Sequence, residues 1–385
     1  MRKYLFIAVN ERQAWGGSEL LWSLAAAKLA RQGNEVRVSI RDWGRATPEI
    51  DRLRVAGCQI VWRREPTALV RQMRRVRRVA ETVRHIRTAG NGVDLVVVSQ
   101  GAHTDGLTWM EITRGAGLKY AIIAQAAAEE WWPVDEIAER LAVCYENASA
   151  AYFVSEANLA LSRRQFGTPI RHGRVVRNPF NVRYDARPKW PSDSAAELTL
   201  ACVGRLEPKA KGQDLLLEVL ALPHWRHRNV TVSLVGTGVN ERGLRTMIEN
   251  LQLSNVHVTG FLDDIEGLWS RHHALVLPSR YEGMPLALVE AMLCSRPCIV
   301  TDVAGHKEVV RDGVNGFLAK APTVELLDEA MNRAWENRSR LQEMGNTAAI
   351  DVRRWVSQDP SEDFARELSA LVDGGGETRA GAGMQ

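Results

Sequence analysis

The chain is poor in the features that would declare its class at once. It has 5 cysteines in 385 residues, an odd number spread through apolar runs. No disulfide framework follows from that, and reduced, buried thiols fit better. Cys294 and Cys298 lie close together, but no second pair or histidine cluster completes a metal site, so packing in a helix core is the expectation. No stretch approaches the roughly 18 apolar residues that a membrane-spanning helix needs. The opening run 5–9 is too short for a signal peptide, is followed at once by Glu11 and Arg12, and reads as a first strand. These absences point to a cytoplasmic protein. The net charge is only +4, so no sequence-wide case for nucleic acid exists. After the first strand stands Gly16-Gly17 but no G-x-G-x-x-G, which argues against a dinucleotide enzyme. Asp263-Asp264 lack D-x-D spacing, and no metal is expected.

What is present is a soluble composition, 45% apolar and 25% charged, in a chain long enough for two α/β domains. Apolar, β-branched runs at 5–9, 36–40, 59–62, 94–98, 119–124, 150–154 and 174–176 read as strands of a first half. Those at 198–203, 230–235, 256–259, 274–277 and 297–300 read as strands of a second. Most are apolar throughout, as parallel strands covered on both faces should be. Helical patterns between them predict two doubly wound sheets. The segment 181–197 carries two prolines and no apolar period, and reads as the linker between domains 1–180 and 198–355. A helix is expected over about 360–372, and the glycine-rich tail 373–385 has nothing to bury and is expected to be disordered.

Three segments of the second half carry chemistry. In Val203-Gly204-Arg205-Leu206, continuing to Lys211-Gly212-Gln213, a buried strand ends, a loop holds two cations and a helix begins. Cations on such a turn sit where open parallel sheets bind ligands, and can meet an anion. A solvated charged loop is the plainer alternative. In the segment 278–292, Pro285 fits the first position of a helix, where its missing N–H is no loss. That helix start would offer backbone N–H groups and a positive dipole end to a phosphate. Glu282 lies just before it and Glu290 about two turns on. A carboxylate beside a phosphate is unfavourable unless it binds something else, and sugar and ribose hydroxyls are the natural partners. Surface glutamates at this spacing are also commonplace. The third segment opens a short helix near Gly305 and closes in a tight turn, Asp312-Gly313-Val314-Asn315-Gly316-Phe317.

In this order the segments resemble the retaining GT-B glycosyltransferases of family 4, the group 1 type. That family shows V-G-R-L…K-G, then E-x7-E, then G-G-x-x-E-v-v…G-x-x-G-F; here these are Val203 to Leu206 with Lys211-Gly212, Glu282 with Glu290, and Gly305 through Phe317. In the first half, Gly16-Gly17-Ser18-Glu19 is similar to its G-G-x-E loop, and Val154-Ser155 and Asn178-Pro179-Phe180 to two further landmarks. The resemblance spans about residues 4 to 355. It implies two Rossmann-like domains facing an interdomain cleft, with the last helix crossing back to the first. It implies that Arg205 and Lys211 hold the donor diphosphate, Glu282 the transferred sugar and Glu290 the ribose. Gly16, Gly17, Gly204, Gly283, Met284, Pro285 and Leu286 would line the donor, with Gly236 and Phe261 near its base. The implied reaction is transfer from a nucleotide-sugar, UDP favoured and GDP next, to a hydroxyl of a saccharide, glycolipid or small molecule. It would proceed with retention and need neither metal nor other cofactor.

The first half departs from the pattern. Many relatives carry a histidine after the fifth strand, where this chain has Gln125, which cannot titrate. His103, in the loop after the preceding strand, is the nearest alternative as a catalytic group, against the plainer reading of a surface residue. Trp131-Trp132 offers either a stacking platform on the acceptor side or core packing. Over 63–87, Leu69, Met73, Val76, Ala80 and Val83 recur at helical spacing, with Arg71, Arg74, Arg75 and Arg78 off that face. A surface helix packed on its sheet is the plainer reading. The sharper one is peripheral contact with an anionic inner membrane face carrying a lipid-linked acceptor. A competing reading of the whole chain is a catalytically inactive module that binds a nucleotide-sugar or glycan. The missing histidine favours it; intact Arg205, Lys211, Glu282 and Glu290 oppose it.

Overall fold

Strand β1 (Lys3–Ala8) shows why the apolar runs do not alternate with polar residues. Tyr4, Phe6 and Ala8 turn to one core layer with Trp22 and Leu368, while Leu5 and Ile7 turn to another with Val96 and Ile122. Both faces of the sheet are covered, so both sets must be apolar. In this computed structural model the description covers residues 1–9, 15–44, 47–63, 74–191 and 197–374, without the side chains of 74–79.

The chain divides into two units. The first comprises Met1–Val154, Leu159–Pro179 and the segment from Asp359; the second comprises Ser155–Asn158 and Phe180–Gln358. The first unit holds β1, β2 (Glu35–Arg41), β3 (Gln59–Arg63), β4 (Leu95–Ala102), β5 (Tyr120–Ala126), β6 (Ala150–Phe153) and β7 (Gly173–Val175). All pair in parallel, in the order β3-β2-β1-β4-β5-β6-β7. The second unit holds β8 (Leu198–Val203), β9 (Val230–Val235), β10 (Val256–Gly260), β11 (Ala274–Leu277), β12 (Cys298–Thr301) and β13 (Gly316–Ala319). These are parallel too, in the order β10-β9-β8-β11-β12-β13. Each sheet thus reverses its winding once, between β1 and β4 in one and between β8 and β11 in the other. Ligands of doubly wound sheets bind outside the C-terminal strand ends at that reversal.

The helix Pro360–Val372 belongs to the first unit, where Phe364, Leu368 and Leu371 join the layer of Tyr4 and Trp22. Several sequence readings need correction. The segment at 316–319, read as the end of a turn, is an edge strand of the second sheet; four residues starting at a glycine give too short a run to read as one. The stretch before 192 is bound to the second unit rather than loose. Asn181 bonds Glu290, Arg183 bonds Glu266 through 2.9 Å, and the Tyr184 hydroxyl donates to the Arg353 carbonyl at 2.8 Å. Residues 192–196 of that segment and 375–385 of the tail lie outside the described residues. All five cysteines are buried and unpaired, but Cys298 opens β12 instead of lying in a helix. Of the arginine-rich stretch, Leu69, Arg71 and Met73 lie outside the described residues, as do the side chains of Arg74, Arg75, Val76 and Arg78. In the remainder of its helix the buried positions are Thr82, Ile86 and Ala89, and Ala80 of the expected stripe is exposed.

Candidate active site

The reversal of the second sheet gathers most of the charge that the sequence singled out. Gly204 follows β8, and a Cβ there would stand 3.4 Å from Lys211 Cε, so the lysine stem lies directly over this glycine. Gly212 is left-handed at φ +64°, and a Cβ on it would meet the Pro278 carbonyl oxygen at 1.9 Å. Only glycine tolerates both conditions. That contact draws the turn after β8 against the end of β11. Arg280 clamps the same two loops, with both carboxylate oxygens of Asp214 at 2.7 and 2.8 Å. Lys211 therefore reaches Glu282: its ammonium donates to Glu282 Oε1, which also accepts the Ser279 hydroxyl at 2.9 Å. Their side chains are only 14% and 10% exposed. A buried ion pair adds little net stability because desolvation offsets the attraction, yet removing one partner leaves a costly lone charge. Arg205 differs, being half exposed and paired with Glu207 at 3.2 Å.

The helix expected to begin at Pro285 runs Leu286–Leu293, with Pro285 outside it as the cap, extended at ψ 131°. The proline carbonyl accepts the Leu288 N–H at 3.2 Å. The correction is one residue, and it leaves the first-turn N–H groups of Leu286 and Ala287 at the helix mouth. Gly283 and Gly305 meet there, with the Gly305 N–H on the Gly283 carbonyl at 3.3 Å. A Cβ at Gly305 would stand 2.5 Å from Met284 Cε. Glu290, buried within the helix, accepts the Asn181 backbone N–H and side-chain amide, both at 2.9 Å. Burial raises its carboxyl above the usual range, and the two Asn181 bonds oppose that. Gly236, at φ +136°, would press a Cβ to 2.1 Å from the Gly204 carbonyl oxygen, and Phe261 is 71% exposed beyond β10.

Two residues here escaped the sequence reading. His306 is fully buried; its Nδ1 bonds the Thr301 carbonyl at 2.7 Å, and its Nε2 has no partner among the described residues. Burial lowers its pKa, so the ring is neutral and donates from Nδ1. Gln213 is buried as well, its amide on the Arg205 carbonyl at 2.7 Å and its Oε1 unpartnered among the described residues. Nothing in residue type or spacing marks either. They are visible only once β8, β11 and β12 lie side by side.

The corresponding edge of the first unit has another character. Gly16 is extended at φ −164°, which any residue can adopt, and Gly17–Glu19 forms a single 3-10 turn before the helix Leu20–Arg31. Glu19 is buried and accepts the Trp22 indole N–H at 2.7 Å. His103 is not a surface group. It is fully buried, its Nδ1 bonds Ser162 Oγ at 2.7 Å, and its ring packs 5.0 Å from Phe166 and 6.4 Å from Trp131. Burial pushes its pKa down to about 4. A buried neutral ring behind a tryptophan does not meet a reacting hydroxyl, so the catalytic expectation for His103 gives way to a supporting one. Gln125 accepts the Asn178 amide at 2.9 Å, leaving Gln125 Nε2 and Asn178 Oδ1 as a buried donor and acceptor without partners among the described residues. Trp131 is half buried, and Trp132 is 55% exposed.

Residues 186–351 match the family model of the group 1 glycosyl transferases. Over that stretch the chain is similar to the group 1 glycosyl transferases. Its fold as a whole is GT-B. HepE of Anabaena, solved in complex with UDP-glucose, superposes with a TM-score of 0.74 over 96% of this chain and 100% of its own, at 20% identity. The lipopolysaccharide outer core galactosyltransferase WaaB superposes at 0.70 over 96% and 99%, with 18% identity. EpsD of Bacillus subtilis (strain 168), whose name assigns it to the glycosyltransferases, is 29% identical over 164 residues, 42% of this chain. The alignment spans only 43% of EpsD, less than half of that relative's length. Lys211, Glu282 and Glu290 lie within the residues 186–351 that match the family model.

Proposed function

We propose that this chain is a retaining glycosyltransferase that moves a sugar from a nucleotide-sugar to an acceptor hydroxyl. The observation that carries this reading is the buried Lys211–Glu282 pair beside the mouth of the helix Leu286–Leu293, at the winding reversal of the second sheet. A leaving diphosphate needs positive charge held in place before it departs, and that is usually the largest catalytic contribution. Lys211, Arg205 and the first-turn N–H groups supply it without a metal. On donor arrival Lys211 exchanges part of its contact with Glu282 for the diphosphate, and Glu282 turns to the hydroxyls of the transferred sugar. Glu290 takes the ribose hydroxyls, and Gly236 and Phe261 flank the base. A UDP-sugar is the favoured donor, supported by the UDP-glucose bound to HepE, with a GDP-sugar next. The acceptor is a saccharide, glycolipid or small molecule; WaaB, a lipopolysaccharide galactosyltransferase, supports the glycolipid choice. Among the described residues no helix is long and apolar enough to cross a membrane, so access to a lipid-linked acceptor would be by peripheral contact.

The second reading, a binding module without turnover, draws on Gln125 standing where a histidine is expected. One experiment separates the two. Purified protein is offered UDP- and GDP-sugars, first in a thermal shift assay and then with candidate acceptors in EDTA while nucleotide release is followed. A donor that raises the melting temperature and is turned over supports the transferase. A donor that binds without any release supports the module.

A further inference from the structure

Outside the charged site, the first unit carries a second feature of its own. A pocket of about 320 Å³ opens at the ends of β4 and β5, lined by Thr104, Asp105, Trp131, Trp132, Val134 and Ile137 among others. Pockets of this size hold small organic ligands. Two of its walls are apolar side chains left open to water, Trp132 at 55% exposure and Val134 at 70%. Trp131, between them and the interior, is backed by the buried His103 ring, which Ser162 holds in place. The aromatic wall is therefore built in advance of any ligand.

The polar part of the lining narrows the chemistry. Thr104 offers a hydroxyl, and Asp105 a carboxylate whose Oδ2 already accepts the Ala102 N–H at 2.8 Å. No lysine or arginine lines the pocket, while Glu130, Asp135 and Glu136 are exposed beside it. A phosphate or carboxylate would be repelled there. An aromatic face, a hydroxyl and an acceptor carboxylate instead suit a ring with an apolar C–H face and an equatorial rim of hydroxyl donors. We propose that this pocket is a subsite for a neutral pyranose ring, stacked on Trp132 with its hydroxyls donating to Asp105. Its assignment to the acceptor rests on the transferase reading; the binding itself does not.

The test uses the full chain and four probes, the methyl glycosides of glucose, galactose, mannose and N-acetylglucosamine, in saturation-transfer NMR with mannitol as control. UDP is titrated separately by calorimetry. At least one glycoside is expected to show ring-proton saturation that falls roughly fivefold or more in Trp132→Ala and is largely kept in Trp132→Phe. UDP affinity should be the same in all three proteins. Trp132 is exposed, so the alanine variant is expected to fold. Glycoside binding lost in Trp132→Ala while UDP fails to bind even the wild type would uphold the subsite and sink the transferase reading. No glycoside signal above mannitol, equal signals in wild type and Trp132→Ala, or equal or stronger signals from glucose 6-phosphate would each overturn the subsite.

Discussion

The two sheets wind in the same way, yet their C-terminal edges are furnished in opposite ways. The second unit brings a lysine, a glutamate and a serine into one buried cluster at its reversal, and packs glycines so tightly around it that no Cβ fits at 212 or 236 without displacing backbone. The first unit puts a neutral histidine, an amide pair and two tryptophans at its edge, with no buried ion pair among the described residues. Topology alone thus says where a ligand sits, and the side chains say what kind. Charge held in a low-dielectric cluster suits a leaving diphosphate; an aromatic edge lined by no cation suits a neutral sugar.

The contrast is broken most severely by removing charge from the second unit. Glu282→Gln and Arg205→Ala are each expected to cut turnover by about a hundredfold, or about 2.7 kcal/mol of transition-state stabilisation. Glu282→Gln keeps an oxygen for the Ser279 hydroxyl but leaves the buried Lys211 charge unpaired, so its melting temperature is measured alongside to separate lost charge from lost folding. Nucleotide release measured under donor saturation is the readout, and near-normal rates in both variants would remove the assignment. A smaller effect should come from the neutral side. His103 has its pKa lowered from 6.5 to about 4 by burial. A lowered folded-state value means that its contribution is present above pH 6.5 and is lost as the pH falls toward 4. From pH 7.5 to pH 5 that loss is about 2 kcal/mol for this one group. His103→Asn, which keeps a donor near Ser162, should flatten that part of the urea-denaturation profile, although His85, also lowered to about 4, keeps some of the slope. An unchanged slope would mean that His103 titrates normally and is accessible after all.

Much of this division is legible in sequence, for reasons that also mark its limit. Doubly covered strands must be apolar, so twelve of them stand out as runs, whereas β13 is short and starts at a glycine that turn chemistry explains equally well. Charged residues on turns after strands are readable because the sheet edge is where such residues can serve. That Lys211 meets Glu282 is not readable, since it depends on Gly212 packing against Pro278 across 66 residues of chain. The burial of His103 is not readable either, because burial is a property of what surrounds a residue: Ser162 and Phe166 come from a helix about 60 positions away. Pro285 as a cap rather than a first helical residue is a difference of one position, within what local propensity can resolve.

The finest comparison lies inside the charged site, between its two glutamates. Glu282 is neutralised by a lysine, but among the described residues Glu290 has the two Asn181 donors and no cation against its burial, and its carboxyl is raised accordingly. If it serves the ribose hydroxyls, the ionised form is the better acceptor, so nucleotide affinity should weaken as the pH falls through the raised value. Glu290→Gln keeps an oxygen for Asn181 but loses the charge, and about a tenfold weaker affinity for UDP is expected, or about 1.4 kcal/mol. The decisive control is 2′-deoxy-UDP in the same calorimeter. With a hydroxyl removed from the ligand, the gap between wild type and Glu290→Gln should shrink. A gap that stays the same for both ligands would show that Glu290 acts by holding the Asn181 segment, and that the ribose is bound elsewhere.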